Sequence, residues 1–208
     1  LEFVNVMGLC AFCNRTAAVH IISGRYISIN AAEDCRDGLE ISMIWFLSQR
    51  AKYYIDILNG KKPDAKAEIR GSRTYPDIVG KASFYQTKDG VLLNVEVMGL
   101  PSGSEPCGGG VFGFHIHEGE SCTGNAEDPF ADAKGHYNPH DCRHPQHAGD
   151  LPPLFEAQGR AFMVFLTGRF TVKEIIGKTI IIHASPDDFT SQPAGNAGKK
   201  MACGKIRK

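Results

Sequence analysis

Between Phe114 and Asp150 the chain spaces metal-type ligands as His115-x-His117, His136, then His144-x-x-His147-x-x-Asp150, and a further histidine, His183, ends the run Thr179-Ile-Ile-Ile-His183. Imidazole suits copper and zinc alike, and one carboxylate in an otherwise histidine set still fits zinc. These donors exceed what one four-coordinate ion takes, whereas two ions sharing one donor use them all. Only a deprotonated imidazole bridges two ions well, and His136 lies between the two groups. Six of the eight histidines fall in this pattern. His20 and His140 read as ordinary surface or hydrogen-bonded residues, with His140 the substitute should a loop ligand be misplaced. A purely structural zinc site is the plainest competing explanation.

Two histidines at a spacing of two on a strand project from the same face and present both nitrogens to one ion. Val111–His117 has the alternation of such a strand, and Thr179–His183 supplies another that ends on His183. Further strands are expected at Ala67–Gly71, Ile78–Gln86, Val91–Met98, Ala161–Val172 and Met201–Ile206. The Lys88-Asp89-Gly90 turn makes a hairpin of the second and third of these five. Strands without intervening helical stretches indicate an all-β antiparallel sandwich or barrel. Two long irregular segments, about 118–160 and 184–200, carry or flank the ligands, and loops of that length in a compact domain are usually functional.

The first sixty residues read differently. Short β-like runs, Ala17–Ile22 and Tyr26–Ile29, flank a Ser23-Gly24 turn. Ile44, Leu47, Ala51, Tyr54/Ile55 and Leu58 recur at helical spacing, which predicts an amphipathic helix over 43–58, ended by Asn59-Gly60 and Lys62-Pro63. The boundary is placed near residue 60, giving an N-terminal extension of residues 1–60, short α/β or partly disordered, ahead of a β domain of residues 61–208.

Lys+Arg and Asp+Glu both total 23, so the formal net charge is zero and nothing suggests a nucleic-acid or membrane-binding face. No apolar run approaches the ~20 residues of a spanning helix. The opening Leu-Glu-Phe shows no signal-peptide pattern, which leaves cytoplasmic and exported locations both open. Seven cysteines, an odd number, leave at least one unpaired if the others form disulfides.

Residues ~63–208 resemble a copper/zinc superoxide dismutase. The matching stretches are Gly113-Phe-His-Ile-His-Glu118, Gly135-His-Tyr-Asn-Pro139, His147-Ala-Gly-Asp150, Ile182-His183, Gly195-Asn-Ala-Gly198 and Ala202-Cys-Gly204. The resemblance implies an eight-stranded, immunoglobulin-like Greek-key β-barrel. It implies copper on His115, His117, His136 and His183, zinc on His136, His144, His147 and Asp150, and His136 as the bridging imidazolate. Asp187 matches the family's aspartate that hydrogen-bonds one ligand from each site. Cys122 and Cys203 match its disulfide, and the position of Cys122 resembles the bacterial-type branch. Cys107 and Cys142 are expected to form a second bridge, with reduced thiols as the alternative. The implied activity is antioxidant: superoxide is converted to oxygen and hydrogen peroxide as copper cycles between Cu(II) and Cu(I). The implied partners are the superoxide anion and a copper donor, and because the family includes dimers and monomers a homodimer stays open.

This sequence departs from the family pattern in three ways. The His144–His147 spacing is short, which makes the zinc half the less secure. Lys200 stands where the family usually has an arginine three residues before Cys203. It keeps the positive charge that draws in the anion but loses the planar fork, so a slower capture is expected. Lys199 beside it is a second local charge. The third departure is the N-terminal extension, whose Cys10-x-x-Cys13 admits the alternative of a copper chaperone-like protein, since thiolates favour Cu(I).

Overall fold

The computed structural model describes residues 19–22, 25–28, 35–102 and 110–208, with side chains from residue 47 onward. The chain divides into two compact units, Leu1–Asp56 and Ile57–Lys208. In the first, β1 (Val19–Ile22) and β2 (Arg25–Ser28) pair antiparallel with Ser23-Gly24 between them. Helix α1 spans Cys35–Gly60, starting eight residues earlier than its apolar spacing predicts. Gly38 costs a helix only about 1 kcal/mol and Ser42 less, and extending a helix is cheaper than nucleating one. At the other end Pro63 disfavours helical backbone at Lys62 and stops it. Among the described residues no helix is long and apolar enough to cross a membrane.

The second unit is a curled antiparallel sheet. Its strands are β3 (Ala65–Gly71), β4 (Val79–Thr87), β5 (Gly90–Met98), β6 (Val111–Phe112), β7 (Phe114–His117), β8 (Leu154–Phe155), β9 (Arg160–Thr167), β10 (Thr179–His183) and β11 (Lys200–Arg207). Seven of them form one sheet in the order β7-β10-β11-β3-β4-β5-β9. The chain therefore crosses from β5 to the far edge at β7, returns to β9, and crosses again to β10, which is Greek-key connectivity. The two edges are linked through β6, which precedes β7, and β8, which precedes β9. These short strands pair with each other as Val111↔Phe155 and Phe112↔Leu154. With β6 and β7 taken as one strand interrupted at Gly113, the unit has the eight strands expected of it.

Alternation decides what faces inward. On β3 the buried residues Ala65, Ala67 and Ile69 alternate with exposed ones, and they join Phe84, Val91, Leu93, Phe114, Ile116, Ile180, Ile182 and Ile206 in the main core. β7 and β10 are instead buried at every position. Their outward side is covered by the long segments after β7 and β10, where Phe130, Ala133, Ile181 and Cys203 form a second, smaller cluster. That cover removes His115 and His117 from water.

Two local expectations are corrected. The strand predicted over Ala161–Val172 ends at Thr167, and α2 (Val172–Ile175) follows. The overlooked signal is Thr171-x-x-Glu174, in which the Glu174 carboxylate accepts from the Thr171 backbone N–H at 2.6 Å, a capping-box contact that starts a helix. The pair Leu154–Phe155, just after Pro152-Pro153, forms β8 inside what reads as loop; two residues are too few to show a period.

Candidate metal centre

His115 and His117 sit on β7, whose partner β10 places Ile181 opposite His115 and ends on His183. His136 arrives from the long loop through a backbone bridge to His117. One ligand atom from each of His115, His117, His136 and His183 lies within 4.8 Å of the others. His136, His144, His147 and Asp150 form a second set by the same measure, so the short His144–His147 spacing does not keep this loop from converging. Among the described residues His136 is the histidine common to both, its ring 4.0 Å from that of His115 and 5.6 Å from that of His147.

The hydrogen bonds orient each ring. His117 Nδ1 donates to the Lys134 carbonyl at 2.8 Å and His183 Nδ1 to that of Gly198 at 3.2 Å. Each Nε2 is then left with a lone pair, and the two face each other at 3.2 Å. Two lone pairs that close repel unless a cation lies between them. Asp187 accepts from His115 Nε2 at 2.7 Å with one oxygen and from His144 Nε2 at 2.9 Å with the other, joining the two sets through one carboxylate. The nitrogens left over, His115 Nδ1, His136 Nε2, His144 Nδ1 and His147 Nδ1, are buried with no hydrogen-bond partner. His144 Nδ1 lies 3.1 Å from Asp150 Oδ2, near enough for attraction but without hydrogen-bond geometry. An orphaned buried polar atom costs about 1–3 kcal/mol, and four aimed inward from one patch are what metal ions would relieve. The donor set therefore fits two ions, one in an all-nitrogen set and one in a set with a carboxylate.

Gly195 makes the Asp187 link possible. Its φ of +62° favours glycine, and a Cβ there would stand 2.0 Å from Asp187 Oδ1 and 2.6 Å from His144 Nε2.

A family model described as copper/zinc superoxide dismutase matches residues 78–206, across all of these ligands. The chain belongs to the copper/zinc superoxide dismutase family. It is 36% identical to superoxide dismutase [Cu-Zn] 2 of Aquifex aeolicus, over 69% of this chain and 88% of that one. It is 31% identical to the Legionella pneumophila superoxide dismutase [Cu-Zn], over 69% and 87%. A solved structure of a double mutant of a SOD-like protein from Bacillus subtilis superposes with a TM-score of 0.56 at 26% identity, covering 69% of this chain and 97% of that one. Copper and zinc are the cofactors of this family.

The remaining residues singled out from sequence are placed as follows. Cys122 and Cys203 form a disulfide that ties the long loop to β11. Cys142 carries a free, half-buried thiol, and Cys107, like Cys10 and Cys13, lies outside the described residues. Lys200 is the cross-strand partner of His183. It is not a solvated loop lysine: its ammonium ion-pairs with Asp128 at 2.6 Å and donates to the Phe130 carbonyl at 3.2 Å. Burial pushes the Asp128 carboxyl up, but hydrogen bonds from Lys200 and the Phe130 N–H outweigh it and leave Asp128 below its usual range. Two residues that sequence reasoning missed, Arg169 and Gln192, hold the backbone of the loop bearing His144, His147 and Asp150.

Burial, followed by the neighbouring imidazoles, lowers His115 to about 2. Burial also lowers His183 to about 4 and His117 well below its ordinary value. Without metal, an unfolded chain takes protons on these groups below about pH 6.5 while the folded chain does not, so stability falls as pH drops from 6.5 toward 4. His183 alone accounts for about 3 kcal/mol by pH 4. The metal-free chain is therefore expected to melt at a steadily lower temperature between pH 7 and pH 4.5. A flat melting temperature across that window would show that these rings are not held neutral.

Proposed function

We propose that this chain is a working copper/zinc superoxide dismutase, with residues 61–208 as the dismutase domain and residues 1–60 as an extension. Copper is held by His115, His117, His136 and His183, and zinc by His136, His144, His147 and Asp150. The observation that carries this reading is the orphaned nitrogens: His115 Nδ1 and His136 Nε2 belong to the first set and His144 Nδ1 and His147 Nδ1 to the second, while the other nitrogens of His115, His136 and His144 are engaged by the carboxylates of Asp187 and Asp150. Bound copper supplies one-electron chemistry by alternating between two oxidation states, and bound zinc supplies a fixed charge that keeps the shared imidazole deprotonated.

The protein's own contribution is to position groups and deliver a proton. His136 has Nδ1 2.7 Å from Asp150 and a buried Nε2 with no partner, so Nε2 is the atom that would take up a proton and pass it to the reduced oxygen species, which takes its second proton from water and leaves as hydrogen peroxide. Asp187 fixes the tautomers of His115 and His144 together. A cavity of about 280 Å³ lined by His183, Pro193, Ala194 and Gly198 gives a small anion its approach. Lys200 adjoins His183 and supplies positive charge there, of which Asp128 cancels a part; Lys199 is an exposed neighbour. Electrostatic capture of a small anion is screened by salt, and superoxide dismutases are themselves a known instance of it.

A copper chaperone-like role is not favoured, because the ligand set for turnover is whole and converges. A homodimer and a copper donor remain part of the proposal as partners. The test is metal analysis with a superoxide-consumption assay on the full chain and on residues 61–208. The expected result is one copper and one zinc per chain, with turnover that falls as ionic strength rises and falls less steeply in Lys200→Met. Two metals per chain without turnover would refute the dismutase reading, and a salt response identical in Lys200→Met would remove Lys200 from it.

A further inference from the structure

The segment 144–150 supplies three of the four donors of the second set within seven residues, and β7 holds only its end, where the Ile116 N–H donates to the Gly149 carbonyl at 2.9 Å and His115 bridges Asp150. His144 and His147 themselves lie in irregular backbone within the long loop. Irregular backbone keeps its shape only if other groups occupy its carbonyls and N–H groups. Two side chains from elsewhere do so. Arg169, just beyond β9, donates through Nη1 to the Pro145 carbonyl at 2.9 Å, the His147 carbonyl at 3.0 Å and the Asp150 carbonyl at 3.2 Å. Gln192, from the segment after β10, accepts from the His144 N–H at 3.0 Å and donates to the His144 carbonyl at 2.8 Å. The Gln192 amide thus reads both backbone groups of the first ligand, while Arg169 gathers the carbonyls of the other two and of Pro145.

We propose that Arg169 and Gln192 are positioning residues for the zinc set: they hold the shortened loop in its ligand-ready shape, so that zinc binding does not also have to order it. The proposal rests on the reading of His136, His144, His147 and Asp150 as the zinc ligands. Neither residue touches a ligand nitrogen, and both act through the backbone. Because one nitrogen of Arg169 meets all three carbonyls, the grip resembles that of a point donor rather than a planar fork. An ammonium, with three N–H donors, can reproduce much of it.

Partners that orient ligands without binding the ion are worth about 10- to 100-fold in metal affinity. Arg169 and Gln192 are exposed and compete with water, which places each at the lower end, about 10-fold. The test measures Zn2+ and Cu2+ affinities separately, by chelator competition, on the full-length chain and on Arg169→Met, Arg169→Lys and Gln192→Ala. Co2+ placed in the zinc set gives an optical spectrum that reports its geometry. Arg169→Met and Gln192→Ala are each expected to weaken zinc about 10-fold and broaden the cobalt spectrum while leaving copper affinity unchanged, and Arg169→Lys to recover most of the loss. Wild-type zinc uptake with unchanged affinity in both Arg169→Met and Gln192→Ala would overturn the clamp alone. Equal losses of copper and zinc affinity would overturn it too, by reducing the effect to general stability. A wild-type chain that takes up copper but no zinc would remove the zinc ligand assignment and the clamp with it.

Discussion

Replacing His136 by alanine is expected to lower superoxide consumption by at least about 100-fold while leaving the chain folded and able to bind metal. The reason is that His136 alone, among the described residues, belongs to both ligand sets. Removing it leaves His115, His117 and His183 on one side, and His144, His147 and Asp150 on the other. Three donors still hold an ion, but they no longer share a ring. The lost acid–base group is the larger part of the effect, because a positioned proton donor contributes about 100- to 10,000-fold and His136 Nε2 is the ring atom placed to serve as one. The coupling of the sites should vanish with it. In the wild-type chain the copper electron paramagnetic resonance signal should change when zinc is replaced by cobalt, and in the variant it should not. Ordinary turnover in His136→Ala would refute the shared-ligand role whatever the metal content.

Opening the Cys122–Cys203 disulfide is expected to cost about 4.5 kcal/mol of folding stability in the metal-free chain. The bridge joins residues 81 apart, and loop-closure entropy for an interval of that length gives about 4.5 kcal/mol. Cys203 is buried on β11 opposite Ile181, and Cys122 lies on the loop that leads to His136. The bond therefore pins the start of a long irregular segment to the most buried part of the sheet. Its loss frees the loop in the folded state as well as the chain in the unfolded one, so metal affinity should fall alongside stability. Urea denaturation of the oxidised chain and of a Cys122→Ser/Cys203→Ser variant, both without metal, measures the difference. A gap under about 1 kcal/mol would show that the loop is held by the packing of its Phe130 and Ala133 on Ile181 of β10 instead.

The regular elements were legible because each leaves a period. The hairpin of β4 and β5, the strand carrying His115 and His117, and the run ending on His183 can be read from alternation and turn residues. Breaks in the period were harder: Gly113 splits one expected strand into β6 and β7, and the Thr171–Glu174 capping box turns the end of another into α2. Around the metal centre, residue type indicated the donors, since six histidines and one aspartate at those spacings have few other uses. Residue type did not reveal that Lys200 would be ion-paired with Asp128, because the partners are 72 residues apart and neither position stands out locally.

What the sequence determined by itself is thus the donor chemistry, the strand pattern that presents it and the family. Those properties live in residue identity and short-range spacing. The tertiary structure alone decided which nitrogen of each ring is left free, that Asp187 spans both sets through the gap at Gly195, and that Arg169 and Gln192 grip the loop bearing three of the ligands. These depend on contacts such as His115 with Asp187, 72 residues away, and His144 with Gln192, 48 away. A polar contact over such distances has no period in the chain, and it forms only once the sheet has curled and the two long loops lie over its outer face.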